Sequence, residues 1–227
     1  GKGCRENDAM KKECLGSVLA GGCIGLGGVA FLSLDNKVLG ALLFTLGLFC
    51  VCTLQLHLFT GKVCYLFLND ALRMRDLAVI WLGNLAGTVC IAAVVRMSRI
   101  SPLAAKAQEL CAVKLSDTHW SLFLLAVMCN IFIYIGVENF RSNPHEAGKY
   151  LALFFAVMGF ILCGFEHCVA DMFYFAVANL WSGEVLVRLN YQRRDVNEPI
   201  ISSISRSFDI DVNIIFADVE VVADAPI

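Results

Sequence analysis

Apolar residues in this chain come in long runs separated by short polar stretches, and two of those runs break near their middle. Val38 to Leu68 is interrupted at Gln55-Leu56-His57-Leu58-Phe59-Thr60-Gly61-Lys62, and Lys149 to Trp181 at Gly164-Phe165-Glu166-His167. A run of about 20 apolar residues crosses the hydrocarbon layer of a bilayer. On that measure the pattern predicts five membrane spans: 15–34, 38–68, 77–97, 119–140 and 149–181. Span two, at 31 residues, is longer than a straight crossing needs, which suits a broken or re-entrant helix. From Val38 to His57 is 19 positions and from Lys149 to His167 is 18. Discontinuous helices at matching places in two halves point to an inverted duplication with a membrane pathway near the bilayer midplane.

The remaining segments complete a three-part reading. Residues 1–14 are charged and suit an amphipathic segment on the cytoplasmic side; residues 15–181 form the membrane domain. Residues 182–227 form a polar tail that does not span. A duplication of three helices calls for a sixth after residue 181, yet in Asn190–Ile227 no uncharged run exceeds seven residues. At about 2.5–3.5 kcal/mol for each centrally placed charge, such a stretch cannot cross. Either the sixth helix is lost or the end of the coding sequence is altered. Small residues mark helix-packing faces: Ser17, Gly21 and Gly25 in span one, and Gly83-x-x-x-Gly87 in span three. A polar connector, 98–118, separates the halves.

Composition agrees. The 227 residues are 58% hydrophobic and 17% charged, with mean hydropathy +0.70, whereas soluble domains are about 25% charged. This predicts an all-α polytopic protein of the cell (plasma or inner) membrane, with the lipid bilayer as its surroundings. A net charge of −2 gives no reason to expect nucleic acid. Of 11 cysteines, most lie inside apolar runs without metal-ligand spacing, where cysteine packs as a small hydrophobe. His57, Cys64 and His167 have no ligand spacing either, so no metal or other cofactor is expected. With no nucleophile–base pair visible, an intramembrane enzyme is not expected.

His167, beside Glu166 deep in an apolar run, is the sharpest candidate, because an ionisable residue in a span is functional by default. Thr60 occupies the first break, either as a pore-wall hydroxyl or as a helix N-cap. Asn130 lies within span four, either on a polar pathway or joining helices. Asp171 follows His167 by four residues, on the same face of a regular helix. Periodicity sets Phe44 with Leu48, and Phe160 with His167. Taken alone, this spacing fits core packing as well as a dry constriction.

Leu58-Phe59-Thr60-Gly61, Gly164-Phe165-Glu166-His167 followed by Met172-Phe173, and Cys129-Asn130 together resemble the motifs of the formate/nitrite transporter family. So do the glycine-rich stretch 20–28 and Trp81-Leu82-Gly83-Asn84-Leu85-x-Gly87. The resemblance implies an aquaporin-like fold in a homopentamer, with one path per protomer for formate, nitrite, hydrosulfide, acetate or lactate. It implies a substrate-binding and proton-relay set of His167, Thr60, Asn130, Lys114 and Glu166. It also implies pore constrictions at Phe44, Leu48, Leu58, Phe59, Ile133 and Phe160. This chain departs from the family pattern with Gln55, Leu56 and His57 where a glycine, a small residue and an acid are usual, and with Asp171 for asparagine. The expected function is proton-assisted permeation of a small monovalent anion through a hydrophobic pore. The rival expectation is a non-conducting remnant that lacks the sixth helix.

Overall fold

The computed structural model describes residues 2–67 and 73–179, and every regular element among them is helical. The expected sixth helix and the tail after Asn179 lie outside the described residues. In order, the helices are α1 (Lys2–Leu32), α2 (Lys37–Thr53), α3 (Phe59–Lys62), α4 (Met74–Met97), α5 (Leu103–Leu115), α6 (His119–Ser142), α7 (Glu146–Leu162) and α8 (Cys168–Asn179). A 3₁₀ turn, Val63–Phe67, extends α3. Among the described residues, three helical stretches are long and apolar enough to cross a membrane: Lys12–Leu32, Met74–Met97 and His119–Ser142. α2–α3 and α7–α8 are the two broken spans. α1 runs from the charged N-terminal segment into span one without interruption. The connector is not irregular: Ala104, Ala107 and Cys111 form a buried stripe on α5.

α1 and α4 meet backbone to backbone along the small-residue faces. A Cβ at Gly21 would lie 2.1 Å from the Asn84 carbonyl oxygen, and one at Gly87 2.0 Å from that of Val18. Only hydrogen at these positions permits the approach. α2 and α7 run antiparallel across the middle: Phe49 meets Tyr150 at 5.9 Å between ring centroids, and Phe44 meets Phe160 at 6.2 Å.

Both breaks are built alike. α2 and α7 each have 17 residues, and each ends by turning one residue into left-handed conformation, Gln55 at φ +52° and Gly164 at φ +72°. The N–H groups of Gln55 and Leu56 bond back to Cys52 and Val51 at 3.3 and 2.9 Å, and those of Gly164 and Phe165 to Ile161 and Phe160 at 3.1 and 2.9 Å. This is the Schellman ending, which satisfies the last carbonyls of a helix. Glycine adopts the conformation freely, whereas a side chain on Gln55 strains it. Gln55→Gly is therefore expected to stabilise the fold by about 1 kcal/mol, read as a raised midpoint of thermal unfolding in detergent. An unchanged or lowered midpoint would count against strain at this turn.

Candidate functional site

The two half-helices that follow the breaks bring their first residues together. Thr60 Oγ1 lies 3.0 Å from His167 Nε2, across 107 residues of sequence. Both side chains are buried, at 1% and 3% exposure. His167 is the residue immediately before α8, and its ring closes the helix start: the Ala170 N–H donates to Nδ1 at 3.1 Å. With Nδ1 accepting, the neutral ring carries its proton on Nε2 and donates it to Thr60. An imidazolium here would lose the Ala170 bond and set a cation against the positive end of α8. Thr60 is not an N-cap, since Leu58 holds that place.

Of the hydrophobic positions expected to narrow the path, Phe160 lies against this pair and Phe44 lies against Phe160. The Phe160 ring stacks on the imidazole at 5.4 Å and meets Phe44 edge-on at 6.2 Å. Leu48, Leu58 and Ile133 are buried, and Phe59 is half-buried.

Two cavities flank the centre. One, of about 600 Å³, is lined by Leu48, Leu58, His57, Lys62, Tyr65 and Arg141 among others. The other, of about 360 Å³, is lined by Lys114, His119, Ala126, Glu166, Cys168 and Asp171. The first takes in α6 from Val137 onward and the second takes in α6 up to Ala126. At 1.5 Å per residue they stand about 16 Å apart along that helix.

Lys114, expected in the substrate-binding set, is bracketed by two carboxylates. It pairs with Glu166 and lies 3.0 Å from Asp171. Burial pulls its ammonium down, but the charges of Asp171 and Glu166 outweigh that and hold it above its ordinary value. Asp171 thus faces Lys114 and not the imidazole. Asn130 is not bonded to His167: its Nδ2 donates to the Ala126 carbonyl at 2.9 Å, and its buried Oδ1 has no partner among the described residues. Among those residues no group of three or more His, Cys, Asp or Glu is placed to hold a metal; the His57 ring is bonded to Lys62 instead.

Asn84 belongs to the Trp81–Gly87 motif, but no role for it follows from the sequence. It is fully buried on α4. Its Oδ1 accepts the Phe59 N–H at 2.9 Å, and its Nδ2 donates to the carbonyls of Ser17 at 2.7 Å and His57 at 2.9 Å. It does for the start of α3 what the His167 ring does for α8. The signal was a lone amide in an apolar run, the same feature that singled out Asn130.

Comparison with known proteins agrees with this architecture. The formate/nitrite transporter family model matches residues 5–199, and a NIL domain model matches residues 185–227. The formate channel FocA of Haemophilus influenzae is 29% identical over 181 residues, covering 70% of this chain and 63% of the relative. The nitrite transporter NirC of Escherichia coli is 28% identical over 185 residues, covering 74% and 68%. The chain thus spans less than two thirds of FocA, and 32% of formate-nitrite transporter 2 of Toxoplasma gondii. A solved pentameric formate channel with formate bound superposes with a TM-score of 0.65 at 28% identity, covering 75% of each chain. With most of its length matched by that model, and with apolar helices of spanning length, the chain is a multi-pass membrane protein of the formate/nitrite transporter family.

Proposed function

We propose that this chain carries small monovalent weak acids of the formate or nitrite class across a membrane, one path per protomer in a homopentamer. The observation that carries the reading is the buried Thr60–His167 hydrogen bond beside the Phe44–Phe160 ring pair. Polar donors at the middle of a dry passage serve a solute that must shed its water there. The similarity to FocA, NirC and the pentameric formate channel supports the substrate class and the assembly.

A bare anion in low dielectric costs far more than a neutral acid. The solute therefore crosses the Leu48/Leu58 and Phe44/Phe160 constrictions with a proton on it. His167 takes part as a polarised donor: its Nε2–H goes to Thr60, which leaves the threonine hydroxyl proton free to bond a solute oxygen. Asn130 Oδ1, a buried acceptor without a partner among the described residues, suits the hydroxyl of a protonated acid. Lys114, Glu166 and Asp171 form a charged cluster at one end of the path, where a proton can be exchanged with water. Residues 185–227 are similar to the NIL domain, which supports reading the tail as sequence distinct from the transporter family. The second reading, a membrane protein that folds and assembles without conducting, draws on that same charged tail.

Flux of labelled formate, nitrite, hydrosulfide and lactate into proteoliposomes, across a pH series, tests the proposal. Uptake by the unaltered chain is expected to rise as the pH falls and the acid form grows; a folded oligomer that passes none of the four would favour the second reading. His167→Ala is expected to abolish proton-coupled uptake. Thr60→Val keeps the shape and removes the hydroxyl, so it should slow uptake about tenfold for a loss of about 1.4 kcal/mol in the barrier. Unchanged flux in both variants would remove the central pair from the path. Nitrogen-15 spectra of the histidine rings are expected to show His167 as the neutral tautomer protonated at Nε2 near pH 7. An Nδ1-protonated ring would contradict the capping bond.

A further inference from the structure

The two broken spans share one numerical register. α7 begins, ends and turns 109 residues after α2 does, hydrogen bond by hydrogen bond. In that register Glu166 stands where His57 stands, and Asp171 stands where Lys62 stands. The backbone repeats while the side-chain charge reverses. A basic pair follows the first break, with Lys62 Nζ donating to His57 Nδ1 at 2.7 Å. An acidic pair follows the second, with Lys114 between its two carboxylates.

The cavities inherit this difference. Lys62 and Arg141 line the larger one, and no carboxylate lines it. Lys62 forms no ion pair among the described residues; Glu13 and Asp76 act on it only from a distance. Arg141 lies over the Tyr65 ring, 5.0 Å from its centroid, and reaches the Glu138 carboxylate only at 4.0 Å, while Glu138 accepts the Tyr65 hydroxyl. The smaller cavity carries one ammonium against two carboxylates.

We propose that the larger cavity is the anion-collecting mouth of the path. Lys62 and Arg141 hold a small monovalent carboxylate or oxyanion there, outside the Leu48–Leu58 constriction, and His57 positions the Lys62 ammonium. The opposite mouth is the weaker collector, because its one ammonium is already paired with Glu166 and Asp171. A concave surface of one sign raises the local concentration of the opposite ion. This assignment rests on the transport reading for its substrate, but the charge asymmetry can be measured without any flux.

Each cavity has a cysteine in its wall, Cys52 in the larger and Cys168 in the smaller. Taking the ratio of reaction rates for an anionic and a cationic methanethiosulfonate at one thiol cancels that thiol's own reactivity and reports the local potential. The full chain in detergent, analysed peptide by peptide by mass spectrometry, should give a ratio at least about fivefold higher at Cys52 than at Cys168. The Lys62→Gln, Arg141→Gln double variant should bring the two ratios together. Equal ratios in the unaltered chain, or a Cys52 ratio unmoved in the double variant, would overturn the proposal.

In proteoliposomes at low ionic strength the double variant should raise the half-saturating formate or nitrite concentration about tenfold, with maximal flux retained and sensitivity to added sodium sulfate lost. Lys106→Gln, at the exposed ion pair with Asp35, serves as the control. An unchanged half-saturating concentration in the double variant would refute Lys62 and Arg141 as the capturing cations. Absence of all flux in the unaltered chain would instead refute the transport reading, with the thiol ratios still deciding the charge asymmetry.

Discussion

A helix that stops inside a membrane leaves backbone groups bare where there is no water to bond them, and most of what is distinctive here answers that constraint. The carbonyl ends of α2 and α7 are closed by the same left-handed turn. The amide ends of α3 and α8 are closed by side chains, and by different ones. Asn84 reaches across from α4 to the Phe59 N–H, and the His167 ring folds back on Ala170. Satisfying α8 leaves His167 with a single proton-bearing nitrogen, and that nitrogen faces Thr60. The helix cap and the donor to Thr60 are therefore one group, and its tautomer is decided by the backbone.

Charge is kept away from this centre. The Phe160 ring stacks on the imidazole and meets Phe44, and Leu48, Leu58 and Ile133 are buried apolar side chains. The ionisable groups sit in the flanking cavities. Partly buried ion pairs such as Lys114 with Glu166 and Asp171 contribute little net stability once desolvation is counted. They do tie α5, a helix outside the spans, to α8 within one.

Much of this could be read along the chain because the membrane imposes a simple code. Polar residues inside an apolar run stand out, so both breaks, His167 and Thr60 were visible, and the glycine spacing in spans one and three announced the α1–α4 contact. Three features were not visible, each for a physical reason. α5 hides in a polar segment, because its buried stripe of small residues, Ala104, Ala107 and Cys111, is narrow. The bracketing of Lys114 depends on partners 52 and 57 residues away, which no local pattern pairs. Asn84 and Asn130 look alike as lone amides in apolar runs, yet one is fully bonded and the other is not. Only the packing of neighbouring helices separates them.

The way α1 meets α4 differs in kind from the way α6 meets α7. In the first seam, main chain rests on main chain at Gly21 and Gly87, and nothing there can rotate aside. In the second, Gly159 faces the Phe132 ring and Gly136 faces the Ala156 methyl group. An aromatic ring can swing to a new rotamer at modest cost, whereas a peptide plane locked in a helix cannot. A side chain is therefore barred at Gly21 and Gly87, whereas at Gly159 the facing ring can make room for one.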